Sequence, residues 1–213
     1  MSSNINNTHN DHSDFLKGEL KDYLNDPMLM FKKWYQDVHE KNCASPNAMS
    51  IATVNQKGQP SSRTVYLKEV LEEGFVFYTN YNSKKGQNLL QNPNIAVLFF
   101  WDCNEQQVRI EGTAEKAPKE LADDYFATRP RVSQIGAWAS EQSSEIESRQ
   151  TLEERVAYFE AKFPNTVPRP EHWGGYLIKP NYFEFWQGRL GRLHDRICYT
   201  LENDNWNISR VAP

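Results

Sequence analysis

The order of strand-length and helix-length segments limits the fold most. Residues 48–54 (AMSIATV), 62–70 (SRTVYLKEV) and the run FVFYTN ending at Asn80 are short and rich in β-branched or aromatic residues. The turn signals NQKGQP and EEG separate them. Residues 94–101 (NIAVLFFW) read as a strongly buried strand, and 106–117 (QQVRIEGTAEKA) as its hairpin partner. A short helix is expected over 83–93, with Ser83 as N-cap and Pro93 at its end. A second is expected over 26–41, capped by Asp26 with Pro27 at its first position. Beyond Pro118 the pattern turns helical through KELADDYFATR, irregular or partly helical through RPRVSQIGAWASEQSS, and amphipathic over 151–163. After a Pro-rich loop the chain closes with three strands, GYLIKPNYFEFWQG, RLHDRICYTLE and WNISRVAP. Strands and helices therefore come in blocks. That excludes a doubly wound parallel sheet and predicts a mainly β fold with helices (α+β), an antiparallel barrel with helices attached.

The 213 residues suit one domain, 21–213, preceded by a flexible polar segment, 1–20. A net charge of −4 gives no field for nucleic acid or an anionic membrane, while 13% aromatic content separates the chain from disordered ones. The N-terminus has no apolar signal region, and no apolar run is long enough to cross a membrane. Cys43, Cys103 and Cys198 are odd in number and widely spaced, so neither a disulfide nor a metal site is expected. A reducing, cytoplasmic setting fits them. GxGxxG and P-loop motifs are missing.

Three clusters carry chemistry. In RLGRLHDR, strand alternation would put Arg192, His194 and Arg196 on one face and Leu193, Asp195 and Ile197 on the other. The segment is either a charged edge strand or the wall of a site for a planar anion; its leucines argue that it is at least half buried. Asp195 is expected to pair with a cation behind the strand. The second cluster gathers Arg63, Lys68, Lys84 and Lys85 with Thr79 and Ser83 near a helix start, a phosphate-like environment. Arg63 and Lys68 have opposite strand parity, so they face different groups or the strand is bulged. The third is Tyr125, Arg129 and Ser133, at spacing four, an arginine with two hydroxyls suited to a phosphate. Pro130 argues against an unbroken helix there. No nucleophile constellation stands out, a profile that suits a redox cofactor.

In order along the chain, RTVYLK, FYTNYNSKKGQ, RPRVSQIGAWASEQSS, FEFWQG and RLHDR resemble the pyridoxamine/pyridoxine 5′-phosphate oxidase family, from about residue 26 to the C-terminal RVAP. The resemblance implies an FMN-binding split barrel and a homodimer with FMN at the interface. It implies oxidation of pyridoxamine 5′-phosphate or pyridoxine 5′-phosphate to pyridoxal 5′-phosphate in vitamin B6 metabolism. Dioxygen would be reduced to hydrogen peroxide, and the amine would release ammonia. It assigns Arg63, Thr64, Val65, Tyr66, Leu67, Lys68, Tyr78, Thr79, Lys84, Lys85, Gln107, Gln142, Ser143, Trp186 and Arg196 to FMN. It assigns Lys68, Tyr125, Arg129, Ser133, Arg192 and His194 to the substrate, with Arg192 and His194 at its reacting end. His12, Phe15 and Ser45 depart from the family pattern at positions expected to cover the substrate. A split-barrel flavin reductase with another substrate and a pyridoxal 5′-phosphate carrier are the alternative readings.

Overall fold

The computed structural model describes residues 19–213, so residues 1–18 of the expected tail, with His12 and Phe15, lie outside the described residues. The chain forms two compact units, with boundaries inside three of its strands. The terminal unit comprises residues 19–46, Phe100–Arg109 and Tyr182–Pro213; the middle unit comprises Asn47–Phe99 and Ile110–Asn181. Among the described residues no helix is long and apolar enough to cross a membrane.

The middle unit is an antiparallel sheet with helices. Strands β1 (Ala48–Val54) and β2 (Pro60–Tyr66) form the first hairpin, with Ile51 opposite Arg63. β3 (Glu69–Val70) and β4 (Phe75–Asn80) form the second. With β5 (Asn94–Trp101), β6 (Gln106–Lys116) and β7 (Trp173–Gln187), the strand order is β2-β1-β5-β6-β7-β4-β3. Alternation is clean in β5, whose Ile95, Val97 and Phe99 are buried between more exposed neighbours.

The expected strand over 62–70 breaks after Tyr66. The Leu67 N–H bonds the Asn47 carbonyl and the Lys68 N–H bonds the Val76 carbonyl, so pairing passes from β1 to β4 at this point. The break resolves the parity conflict between Arg63 and Lys68. Helix α2 (Lys84–Gln91) starts at Ser83, whose Oγ accepts from the Gly86 N–H at 3.4 Å. α3 (Lys119–Thr128) and α4 (Arg131–Ala139) are separated by Arg129 and Pro130 in extended conformation. The proline ring excludes helical backbone at Arg129. α5 (Arg149–Lys162) is capped by Ser148. It offers Val156 and Phe159 to a cluster of Phe126, Ile135, Ala137, Val167 and Trp173. Burying a side chain of Phe126's size contributes about 1.5–3 kcal/mol, which pins the joint between α3 and α4.

In the terminal unit, α1 (Pro27–Glu40) is capped by Asp26, whose Oδ1 accepts from the Met28 and Leu29 N–H groups at 2.7 and 3.0 Å. Its buried stripe is Met30, Phe31, Trp34 and Val38. Trp34 meets Phe185 edge-on, with ring centroids 5.2 Å apart. The end of β7 pairs with β8 (Asp195–Glu202), and β8 with β9 (Asn205–Arg210).

Two expectations fail here. Cys43 and Cys103 form a disulfide, with Cα atoms 5.8 Å apart across a sequence separation of 60. Spacing along the chain hid the pair, because the segment after α1 and the 3-10 turn Asp102–Asn104 meet only in the fold. The strand expected from Arg192 begins only at Asp195. Gly191 and Arg192 have φ of 67° and 61°, left-handed values that no strand tolerates, and Leu193 is 74% exposed. The segment around Arg192 is thus an exposed turn.

Candidate functional site

A cavity of about 900 Å³ opens in the middle unit. Arg63, Thr64, Val65, Tyr66 and Lys68 line it from the end of β2, and Tyr78 and Thr79 from β4. Lys85 of α2, Tyr125, Arg129, Ser133 and Gln142, also expected, line it too. Two cation groups that are distant in sequence therefore face one space. Leu67, Lys84 and Ser143 do not line it. Leu67 points into the core at 3% exposure, Lys84 is exposed on the first turn of α2, and Ser143 is exposed at φ 74°. Lys84 and Lys85 lie about 100° apart around the helix, so only one of them can face the cavity.

The Arg63 guanidinium is fixed by its own sheet. Nη1 donates to Thr53 Oγ1 at 2.9 Å and Nη2 to Ser61 Oγ at 2.7 Å. Lys85, 8% exposed, donates from Nζ to Gln142 Oε1 at 2.7 Å, Thr79 Oγ1 at 3.1 Å and Ser83 Oγ at 3.2 Å. Burial, followed by the like charge of Arg63, lowers the Lys85 ammonium to a pKa of about 8. Burial also lowers Arg63. A half-buried and a buried cation held by neutral oxygens, each pushed toward losing its proton, make a site that gains from a bound dianion.

Arg129, which also lines the cavity, caps α3. Among the described residues its buried Nη1 has no hydrogen-bond partner. Burial pulls the guanidinium pKa down, against an opposing influence of Tyr125. An unsatisfied buried donor is costly, on the order of 1–3 kcal/mol, and an anion entering the cavity would recover that cost. Its guanidinium carbon lies 4.4 Å from the centroid of the Trp173 ring. Tyr78 stacks on Tyr125, centroids 4.1 Å apart, and on Trp173, 5.5 Å apart. Gly175 stands opposite Tyr78 in the ladder, and a Cβ there would lie 3.1 Å from the Tyr78 ring. The Tyr78 hydroxyl donates to Glu69 Oε1 at 2.6 Å. Burial and that hydrogen bond push its pKa well above the usual phenol value. Tyr78 therefore offers its ring to the cavity while its hydroxyl is engaged.

Gln107, Trp186, Arg192, His194 and Arg196 belong to the terminal unit. Trp186 and Arg196 are cross-strand partners, and the Trp186 and His194 rings lie 4.6 Å apart. The Arg189 backbone N–H donates to His194 Nδ1 at 3.1 Å, so a neutral His194 carries its hydrogen on Nε2. Gln107 is half-buried on β6 and Arg192 is exposed. Asp195 pairs as expected, with Arg189 Nε at 2.6 Å and Arg210 Nη1 at 2.5 Å.

Glu184 was not singled out in the sequence. It is 2% exposed and accepts from Arg196 Nε at 3.0 Å, Arg196 Nη2 at 2.8 Å and Arg109 Nη1 at 3.0 Å. Burial alone would raise its carboxyl; the hydrogen bonds and charge of Arg196, then Arg109, outweigh it and hold the pKa below the ordinary value. An acid between two phenylalanines in a core strand was the available signal. Trp173, beside Arg129, was also missed, and the only hint was an aromatic residue placed before a glycine pair.

Residues 36–163 match the family model described as pyridoxamine 5′-phosphate oxidase, and residues 173–213 match the pyridoxine 5′-phosphate oxidase C-terminal dimerisation region. A pyridoxine/pyridoxamine 5′-phosphate oxidase from Haemophilus influenzae is 50% identical over 207 residues, 96% of this chain and 99% of that protein. One from Gloeothece citriformis is 52% identical over 189 residues, 88% of each. The crystal structure of PhzG from Burkholderia lata, in complex with tetrahydrophenazine-1-carboxylic acid, superposes with a TM-score of 0.88 at 28% identity, covering 94% of this chain and 98% of that one. A pyridoxamine 5′-phosphate oxidase-related, FMN-binding protein from Nostoc punctiforme shares the fold, with a TM-score of 0.69 at 15% identity, covering 85% of this chain and 96% of that one.

Proposed function

The chain belongs to the pyridoxamine 5′-phosphate oxidase family, and on that premise we propose that it oxidises pyridoxine 5′-phosphate and pyridoxamine 5′-phosphate to pyridoxal 5′-phosphate. The observation that carries this reading is the buried Nη1 of Arg129, without a partner among the described residues, in a cavity lined also by Tyr125, Ser133, Arg63 and Lys85. One cavity thus gathers cations from two parts of the chain, enough for a phosphorylated cofactor beside a phosphorylated substrate.

The cofactor in this proposal is FMN. The residues fit it: Arg63 and Lys85 are cations suited to its phosphate, with Thr79 and Gln142 holding Lys85 in place. When bound, FMN supplies the acceptor for a hydride from substrate C4′ and passes the two electrons to dioxygen. Pyridoxine 5′-phosphate and dioxygen then give pyridoxal 5′-phosphate and hydrogen peroxide. Pyridoxamine 5′-phosphate consumes a water as well and releases ammonia.

The protein's part is positioning. Tyr125, Arg129 and Ser133 hold the substrate phosphate, and Lys68 lies on the same cavity wall. Arg192 and His194 are assigned to the substrate ring. With Nδ1 engaged by the Arg189 amide, His194 is a donor through Nε2 rather than a base at Nδ1. Trp186, Arg196 and Gln107 are assigned to the flavin. A homodimer with flavin at the interface is part of the proposal, supported by the match of residues 173–213 to a dimerisation region. So is a cytoplasmic setting, where thiol reductants would act against the Cys43–Cys103 bond.

The test is pyridoxal 5′-phosphate and peroxide formation from pyridoxine 5′-phosphate by the purified yellow protein, compared with Arg129→Ala. Wild type should form both in equal amounts. The variant should keep its flavin and lose roughly 10- to 150-fold in kcat/KM, the worth of a charged hydrogen bond. No turnover by wild type would refute the function. Loss of flavin from the variant would refute the division of the two cation groups.

A further inference from the structure

We infer that Trp173 is a positioning residue of the phosphate clamp, its indole face setting the orientation of the Arg129 guanidinium. The inference rests on reading Arg129 as the group that takes the substrate phosphate.

The backbone fixes only the root of the Arg129 side chain. Its N–H bonds the Phe126 carbonyl at 3.2 Å, and Pro130 holds the residue extended at ψ 145°. Beyond Cβ a long side chain loses rotamer freedom only where something holds it. Aromatic faces do so here: Trp173 lies 4.4 Å from the guanidinium carbon and Phe126 lies 5.6 Å from it. A planar, weakly hydrated cation stacks on such a face and keeps its N–H edges free for an oxyanion.

Trp173 is itself immobilised. Its carbonyl accepts from Arg169 Nη1 at 2.6 Å and its N–H bonds the Pro170 carbonyl at 3.0 Å. Its ring meets Phe126 edge-on at 5.2 Å and lies within 6° of parallel to Tyr78. Tyr78 is tied down through its hydroxyl, which donates to Glu69 and lies 3.2 Å from the Leu121 carbonyl. Tyr125, the second clamp residue, stacks on Tyr78 within 10° of parallel. Both Arg129 and Tyr125 therefore rest on one set of rigid, nearly parallel rings. The clamp is ordered before the ligand arrives, and less ordering entropy is lost on binding.

The experiment measures binding of pyridoxal 5′-phosphate and of unphosphorylated pyridoxal to the flavin-loaded protein. The proteins compared are wild type, Trp173→Leu, Trp173→Phe, Arg129→Ala and the double variant Trp173→Leu/Arg129→Ala. Trp173→Leu should weaken pyridoxal 5′-phosphate binding roughly 2- to 30-fold, the range of a cation–π contact, and leave pyridoxal unchanged. Trp173→Phe, which keeps an aromatic face, should lose less. In the Arg129→Ala background Trp173→Leu should cost nothing further. In steady state the loss should fall on KM rather than kcat. If Trp173→Leu does not fold, Trp173→Phe enters the double variant and must show the same non-additivity. Equal weakening of both ligands, or multiplicative losses in the double variant, would overturn the inference. If Arg129→Ala weakens pyridoxal 5′-phosphate binding and neither Trp173 variant does, the inference alone falls. If Arg129→Ala changes nothing, the reading of Arg129 falls first and takes the inference with it.

Discussion

Replacing Glu184 by glutamine removes one negative charge from a pocket that holds two guanidinium groups. The carboxylate is 2% exposed and accepts three hydrogen bonds from Arg196 and Arg109. Removing one partner of a fully buried pair costs about 3–5 kcal/mol. The Arg196 and Arg109 side chains keep 27% and 41% exposure, so water recovers part of the loss. The expected cost is then about 2–3 kcal/mol. For a chain of this size each kcal/mol moves Tm by about 2–4 °C, giving a drop of about 4–12 °C. Thermal unfolding of both proteins at one protein concentration measures it.

The pH dependence has a definite sign. The folded-state carboxyl of Glu184 titrates below its ordinary value, so its stabilisation is complete above the unfolded value of about 4.3. It is lost as pH falls through the folded-state value. The gap between wild type and Glu184→Gln should therefore be full at neutral pH and close in acid. On the proposed flavin role of Arg196, flavin affinity should fall as well, because Arg196 loses the charged partner that orients it. A variant as stable as wild type at neutral pH, or a gap that persists unchanged in acid, would refute the reasoning.

Two further outcomes are expected. Lys85 titrates near a pKa of about 8 without ligand, so flavin affinity of the apoprotein should hold below that pH and decline above it as the cation is lost. Flavin titration across pH checks this, and Lys85→Met should abolish the decline; an unchanged profile would contradict it. The Cys43–Cys103 bond, across a separation of 60 residues, should add at most about 4 kcal/mol through the unfolded state. Thiol titration of the unreduced, denatured chain should find only Cys198, and reductant or Cys43→Ser should lower Tm.

Much of the frame was legible because its determinants are local. The caps Asp26 and Ser83, the β1–β2 turn and the buried run of β5 depend on neighbours a few residues apart. The break at Pro130 was visible for the same reason. What depends on distant segments was not. Strand parity set Arg63 and Lys68 on opposite faces, and only the hand-over of pairing from β1 to β4 lets both line one cavity. Parity also placed Arg192 and His194 on a strand, whereas two left-handed residues make that stretch a turn. The Cys43–Cys103 pair, the burial of Glu184 and the Trp173 face under Arg129 arise where elements far apart in sequence meet. The residues alone gave three cation clusters suited to phosphate or a planar anion, and the family resemblance divided them between cofactor and substrate.

The most direct measurement is the half-reaction without oxygen. Pyridoxine 5′-phosphate is mixed anaerobically with the yellow protein while the visible flavin absorbance is followed. The expected result is bleaching with one pyridoxal 5′-phosphate formed per flavin, followed on admission of air by return of the colour and one hydrogen peroxide. Flavin that stays oxidised under pyridoxine 5′-phosphate and pyridoxamine 5′-phosphate but bleaches with a nicotinamide reductant would contradict it.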